Sequence, residues 1–144
     1  MDPITAVGAL GAVVGIIDVV TKTISGLREV GAQYKDAELG VIGLVSQLTA
    51  LRAALSKIRQ WMDSEPTETH YQLAMDLGNT LSCCGMLMEK LESEVIRLQR
   101  SADGKLSARS KLKFALNGKS IEDLQGMVGH QMDSLNVLLN SYNM

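Results

Sequence analysis

At 144 residues the chain is long enough for one domain with a substantial core and too short for two comfortable ones. Hydrophobic residues make up 46% and charged residues 21%, the balance of a globular domain, while 3% aromatics are too few for the alternating strands of an all-β sandwich or barrel. A net charge of −2 excludes a uniformly basic polyanion binder, although the charge is unevenly spread along the chain.

The first predicted helix opens with Asp2 as N-cap and Pro3 at the first helical position, where its missing N–H costs nothing. Leu10, Val13, Ile17, Val20, Ile24 and Leu27 recur at alternating spacings of three and four, and Gly31 lies where a left-handed C-terminal cap would stand. The second helix is expected from Asp36 or Ala37 to about Met62, on a stripe of Val41, Leu44, Leu48, Leu51, Leu55, Ile58 and Met62. Asp63-Ser64-Glu65-Pro66-Thr67 breaks it. A third helix spans roughly Glu68 to Arg100, with Ala74, Leu77, Leu81, Cys84, Met88, Leu91, Val95 and Leu98 in register. Ala102-Asp103-Gly104 ends that helix, and a short one from about Ala108 to Leu116 follows, closed by Asn117-Gly118. Ser120-Ile121-Glu122-Asp123 opens the last helix as a variant capping box, with Ile121, Leu124, Val128, Met132, Leu135 and Leu139 on its apolar face. No strand pattern or internal repeat is present. The fold class is therefore all-α: an antiparallel bundle of four main helices, plus one short helix before the last, in a single domain over 1–144. Breaks in the pattern every 25 to 35 residues or so favour a bundle over an extended coiled coil.

Catalytic constellations are missing from the pattern. Asn117-Gly118-Lys119-Ser120 resembles the end of a phosphate-binding loop, but Lys113 stands where the motif needs its first glycine. His70 and His130 sit on different helices without paired Cys/His spacing, so solvent-facing imidazoles are expected and no metal site. The adjacent Cys83 and Cys84 point about 100° apart on a helix, which places Cys84 in the apolar stripe as a core residue. Two neighbouring cysteines suit a reduced, intracellular chain better than a disulfide framework. No basic residue precedes the apolar run, and Asp2 stands where myristoylation needs glycine, so neither a secretory signal nor that anchor is expected. Glu89, Glu92 and Glu94 alternate with Lys90, Arg97 and Arg100, as on a solvated face with pairs such as Lys90–Glu94 and Glu94–Arg97. The chain reads as a non-enzyme without cofactor.

Two features call for another explanation. Opposite the Leu10–Leu27 stripe, Ile4, Gly8, Gly11, Gly15, Asp18, Lys22 and Gly26 line a second face of the first helix. Each interior glycine costs about 0.8–1 kcal/mol of helix propensity relative to alanine. Either another helix of the bundle approaches this row closely, or the row is a latent helix–helix seam used in a membrane or an oligomer. Candidate residues for membrane insertion or self-association are Ile4, Val7, Gly8, Gly11, Val14 and Gly15. Residues 3–17 carry no charge but rise only about 22 Å, short of a bilayer core, before Asp18 and Lys22 interrupt. Insertion is expected to be conditional. The second feature is Lys105, Arg109, Lys111, Lys113 and Lys119, with no acid among them and Leu106, Leu112, Phe114 and Leu116 interleaved. These cations form either a solvated turn or a contact for anionic lipid or an acidic protein surface, at about 1 kcal/mol per cation near an anionic membrane. Nucleic acid is not the expected partner, since the rest of the chain is acidic and aromatics for stacking are few.

The opening Asp2-Pro3-Ile4-Thr5-Ala6-Val7-Gly8, the block Ser110-Lys111-Leu112-Lys113-Phe114-Ala115-Leu116-Asn117-Gly118-Lys119, Ile121-Glu122-Asp123-Leu124 and the closing Leu135-Asn136-Val137-Leu138-Leu139 resemble the Helo-like N-terminal domains of fungal STAND receptors. Phe114 occupies the usual tryptophan position of that family's basic block. The resemblance covers nearly the whole chain through loose, non-catalytic patterns. It implies a cytoplasmic domain at the N-terminus of a longer receptor, in front of nucleotide-binding oligomerisation or repeat modules. It also implies self-association on activation, with conditional recruitment to an anionic plasma membrane and permeabilisation through the N-terminal helix. The other reading is a regulatory helical module that docks on a partner protein or on its own receptor.

Overall fold

The computed structural model describes residues 3–33, 38–64, 67–100 and 121–142. They form four helices: α1 (Pro3–Gln33), α2 (Glu38–Ser64), α3 (Thr67–Arg100) and α4 (Ile121–Ser141). No strand occurs among the described residues. The short helix expected over 108–116 lies outside them, as does the Ser120 cap.

Each helix exists because an apolar stripe at helical spacing finds another stripe to bury. Val13, Val20, Ile24 and Leu27 of α1 are buried, as are all seven expected positions of α2. Leu77, Leu81, Cys84, Met88, Leu91 and Val95 of α3 join them, with Leu124, Val128, Leu135 and Leu139 of α4. Leu10, Ile17 and Met132 only border this core. Ile16 and Val30, absent from the expected stripe, are inside it. The seam of α1 thus drifts along the cylinder, as a 3.6-residue helix does against a seven-residue rhythm.

The most extensive interfaces are those of α1 with α3 and with α2; α4 rests on α2 and α3. Val41 packs against Gly31, which sets the C-terminal part of α1 beside the N-terminal part of α2. Midway, Thr21 Oγ1 donates to the Ile17 carbonyl and accepts from Arg52 Nη1 at 3.3 Å, a polar stitch between α1 and α2. Gly43 lies against Gln125 near the starts of α2 and α4, while Trp61 meets Tyr142 at their ends, with ring centroids 5.8 Å apart and edge-on. These two helices therefore run in the same direction.

Two expectations, on Gly31 and Glu94, are corrected, and the second face of α1 divides along its length. Gly31 does not cap α1, which continues to Gln33; it is buried within the helix, where Val41 Cγ1 would lie 3.1 Å from a β-carbon added there. The glycine serves close packing, not chain reversal. Gly26 is also buried, so the second face of α1 is not open along its whole length. Glu94 is 8% exposed and belongs to the interior, not to the solvated face with the exposed Glu89. It follows the buried Leu91 by three residues, and the helical period turns it inward.

Gly31→Leu should overpack the α1–α2 contact and cost roughly 1–3 kcal/mol. A thermal melt reads this as a lower midpoint, with helical circular dichroism retained at low temperature.

Candidate functional site

From Leu10 to Ile17, the charge-free part of α1 has one face toward the core and one in solvent. Gly8, Gly11 and Gly15 are exposed and fall on consecutive turns, with Val14 beside them at 37% exposure. A β-carbon built on any of the three glycines meets nothing within 4 Å. Among the described residues, no helix of the bundle approaches these positions closely enough to require glycine. Asp18 and Lys22, which interrupt the apolar run, pair with each other at 3.1 Å across one turn of the exposed face. Ile4 and Val7 fall within the span of α1, but their side chains lie outside the described residues. So do Lys105, Arg109, Lys111, Lys113 and Lys119, whose expected cluster stands on the sequence alone.

The structure adds a partner to the glycine row that the sequence reading left out. Ala12 and Gly15 of α1 face Gly78, Ser82 and Gly85 of α3 across an open groove of about 630 Å³, floored by Ile16, Leu81 and Met88 and edged by Met86 and Glu89. Gly85 is close enough that a β-carbon there would touch Ile16 at 3.8 Å, whereas Gly15 and Gly78 border open space. Met86, 69% exposed, and Met75, 57% exposed, leave further apolar surface on α3. The spacing of Gly78, Ser82 and Gly85 at four and three was the available signal, obscured because these residues interleave with the stripe of α3.

Among the described residues, two helical stretches are long and apolar enough to cross a membrane: 10–32 in α1 and 40–64 in α2, each with 39% of its apolar window buried in the bundle. Core helices of a globular domain meet the same criterion.

Reactive groups lie elsewhere. Cys83 is exposed and Cys84 buried. Burial first, and the neighbouring Cys83 second, push the Cys84 thiol up from 9.0 to about 11. His130 is exposed on α4. Among the described residues, no three His, Cys, Asp or Glu side chains converge as a metal site would need. The groove offers apolar surface, bare backbone and one carboxylate at its edge. It can hold an apolar body against small residues; it presents no acid–base pair.

No protein-family model, curated protein or solved structure matches the chain.

Two outcomes follow from this geometry. Because alanine has room at both positions, Gly11→Ala and Gly15→Ala should each raise stability by about 0.4–1 kcal/mol, read as a higher melting midpoint. The raised Cys84 thiol works against the fold in alkali. Between pH 9 and 11 the unfolded chain loses that proton and the folded chain keeps it, so stability should fall across this window. Denaturant midpoints across the window, compared with those of Cys84→Ala, measure the effect.

Proposed function

We propose that the chain is the N-terminal effector or signalling domain of a fungal STAND-type immune or cell-death receptor, of the Helo-like kind. It is a non-enzymatic domain that acts by self-association and by targeting or permeabilising a membrane through α1. It resides in the cytoplasm, is recruited to the plasma membrane on activation, and hands its signal between copies and the downstream modules of the receptor. The observation that carries this reading is the open row of Gly8, Gly11 and Gly15 on the charge-free stretch of α1. Three exposed glycines together cost roughly 3 kcal/mol of helix propensity. Among the described residues no neighbour approaches these glycines, whereas a second helix packed on the bare backbone would offset the cost, as small-residue rows do in helix pairs.

The proposed bundle alternates in direction from helix to helix, and the common direction of α2 and α4 supports this. The short helix 108–116 would carry Lys105, Arg109, Lys111, Lys113 and Lys119 to anionic headgroups. Val14, with Ile4 and Val7, would supply the apolar side of the α1 seam. The Asp18–Lys22 pair bears on the same reading, since two opposite charges already bound across one turn are less costly to dehydrate than two separate ones.

The α1–α3 groove favours a second reading, in which the domain docks on a partner protein or on its own receptor without entering a membrane. Vesicles separate the two. With the effector reading, the domain binds anionic vesicles, releases trapped dye, and binds less as salt rises. Reversing Lys111 and Lys113 to Glu should weaken binding. Gly11→Leu and Gly15→Leu should leave the melting midpoint equal or higher while reducing leakage. Absence of binding at low salt, or leakage indifferent to all four substitutions, would leave the docking module.

A further inference from the structure

α4 is attached to the bundle differently from the other helices. Near its start, the Gln125 amide sits over the bare backbone of Gly43, in the space a β-carbon would take, and Gln47 of α2 reaches back toward Gly129. This reciprocal Gly–Gln pair fixes the register of α4 on α2, but imperfectly: Gln47 Oε1 is buried without a hydrogen-bond partner. The other end is clasped. Tyr142 Oη donates to Asp76 Oδ2 of α3 at 2.5 Å, and its ring meets Trp61 of α2 edge-on. Desolvation, the bond to Asp76 and the charge of Asp76 together push the phenol up from 10.0 to about 12, so the donor proton stays in place across ordinary pH. One residue at the end of α4 thus holds both of the helices on which α4 rests.

The remaining three helices do not depend on α4 in the same way, because α1 makes both of the most extensive interfaces. We propose that α4 is a releasable cover: it opens as a unit from a folded α1–α2–α3 core, with the Tyr142 clasp as its latch. Opening would uncover Ala54 and Ile58, which share the helical sector of Gly43, Gln47 and Trp61 and are buried in the closed bundle. The surface released belongs to α2, the second of the two helices with enough apolar length to span a bilayer. The device is independent of the membrane reading, since its opening and closing require no lipid.

Hydrogen exchange on the full chain tests it. In the wild type, amides of α4 should exchange through a lower-energy opening than amides of residues 20–30 in α1. Tyr142→Phe keeps the ring on Trp61 and removes only the bond to Asp76. It should speed exchange in α4 by about fivefold or more while leaving residues 20–30 within about twofold. Emission of Trp61, the single tryptophan, should change in parallel. Gly43→Ala, which displaces the Gln125 amide at the other end, should give the same selective acceleration. If exchange rises equally in α1 and α4, or rises in neither variant, the helices open only together and the cover does not exist.

Discussion

The burial of the α1 stripe between α2 and α3 is the constraint on which the other contacts depend. Val13, Ile16, Val20, Ile24, Leu27 and Val30 form the surface on which α2 and α3 pack, and each of those helices has its own stripe pressed to the same seam. Thr23 is buried there without disturbing it, because its hydroxyl donates to the Val19 carbonyl one turn back at 2.8 Å. With no other described helix against its far side, α1 is two-faced near its N-terminus: branched aliphatics inward, glycine and alanine outward. A helix serving only as a core element would carry solubilising side chains on that outer face. The outer face of α1 instead carries bare backbone over two turns, and its first charges are already spent on each other.

How much of this could be read in the sequence depends on the kind of signal. All seven expected positions of α2 are buried, since a long amphipathic period needs no tertiary information to be seen. The same periodicity puts Cys84 in the core, and its neighbour Cys83, about 100° round the helix, is exposed. Gly31 was misread because a glycine near the end of a periodic run suggests a cap, and only the approach of Val41 distinguishes a cap from a packing site. Glu94 was misread because charge outweighs position in a sequence pattern; on the helix, position wins. The glycine row was visible as a row, but whether it faced a neighbour or open space depends on where α2 and α3 lie. The groove needed both helices at once, and its α3 side is written in residues that look like gaps in a stripe.

Among the described residues many polar contacts are local. Thr49, Ser134 and Ser141 each donate to the carbonyl four residues earlier, which satisfies the hydroxyl without committing it to another helix. Aliphatic packing is tolerant of volume and poor at fixing register, so the few polar contacts between helices carry more specificity than their number suggests. Among the described residues, Arg52 on Thr21 ties α2 to α1 and Tyr142 on Asp76 ties α4 to α3, while the Gln125 side chain packs over Gly43 and sets α4 on α2. Two of these contacts concern α4.

That asymmetry bears on how one chain can be stable as a bundle and still change its exposed surface. Loosening α1 would break the two largest interfaces together and amount to unfolding. Loosening α4 breaks the two smaller ones, whose polar contacts lie near its two ends. An opening confined to α4 therefore requires less free energy than one that begins at α1, and it leaves the solvent face of α1 where it already was. The two features are separable: the open glycine row is present in the closed bundle, while the α2 surface appears only when α4 leaves. A stimulus acting on the end of α4 could change the second without disturbing the first, because Tyr142 and Gly11 share no contact and lie on helices with no extensive interface between them.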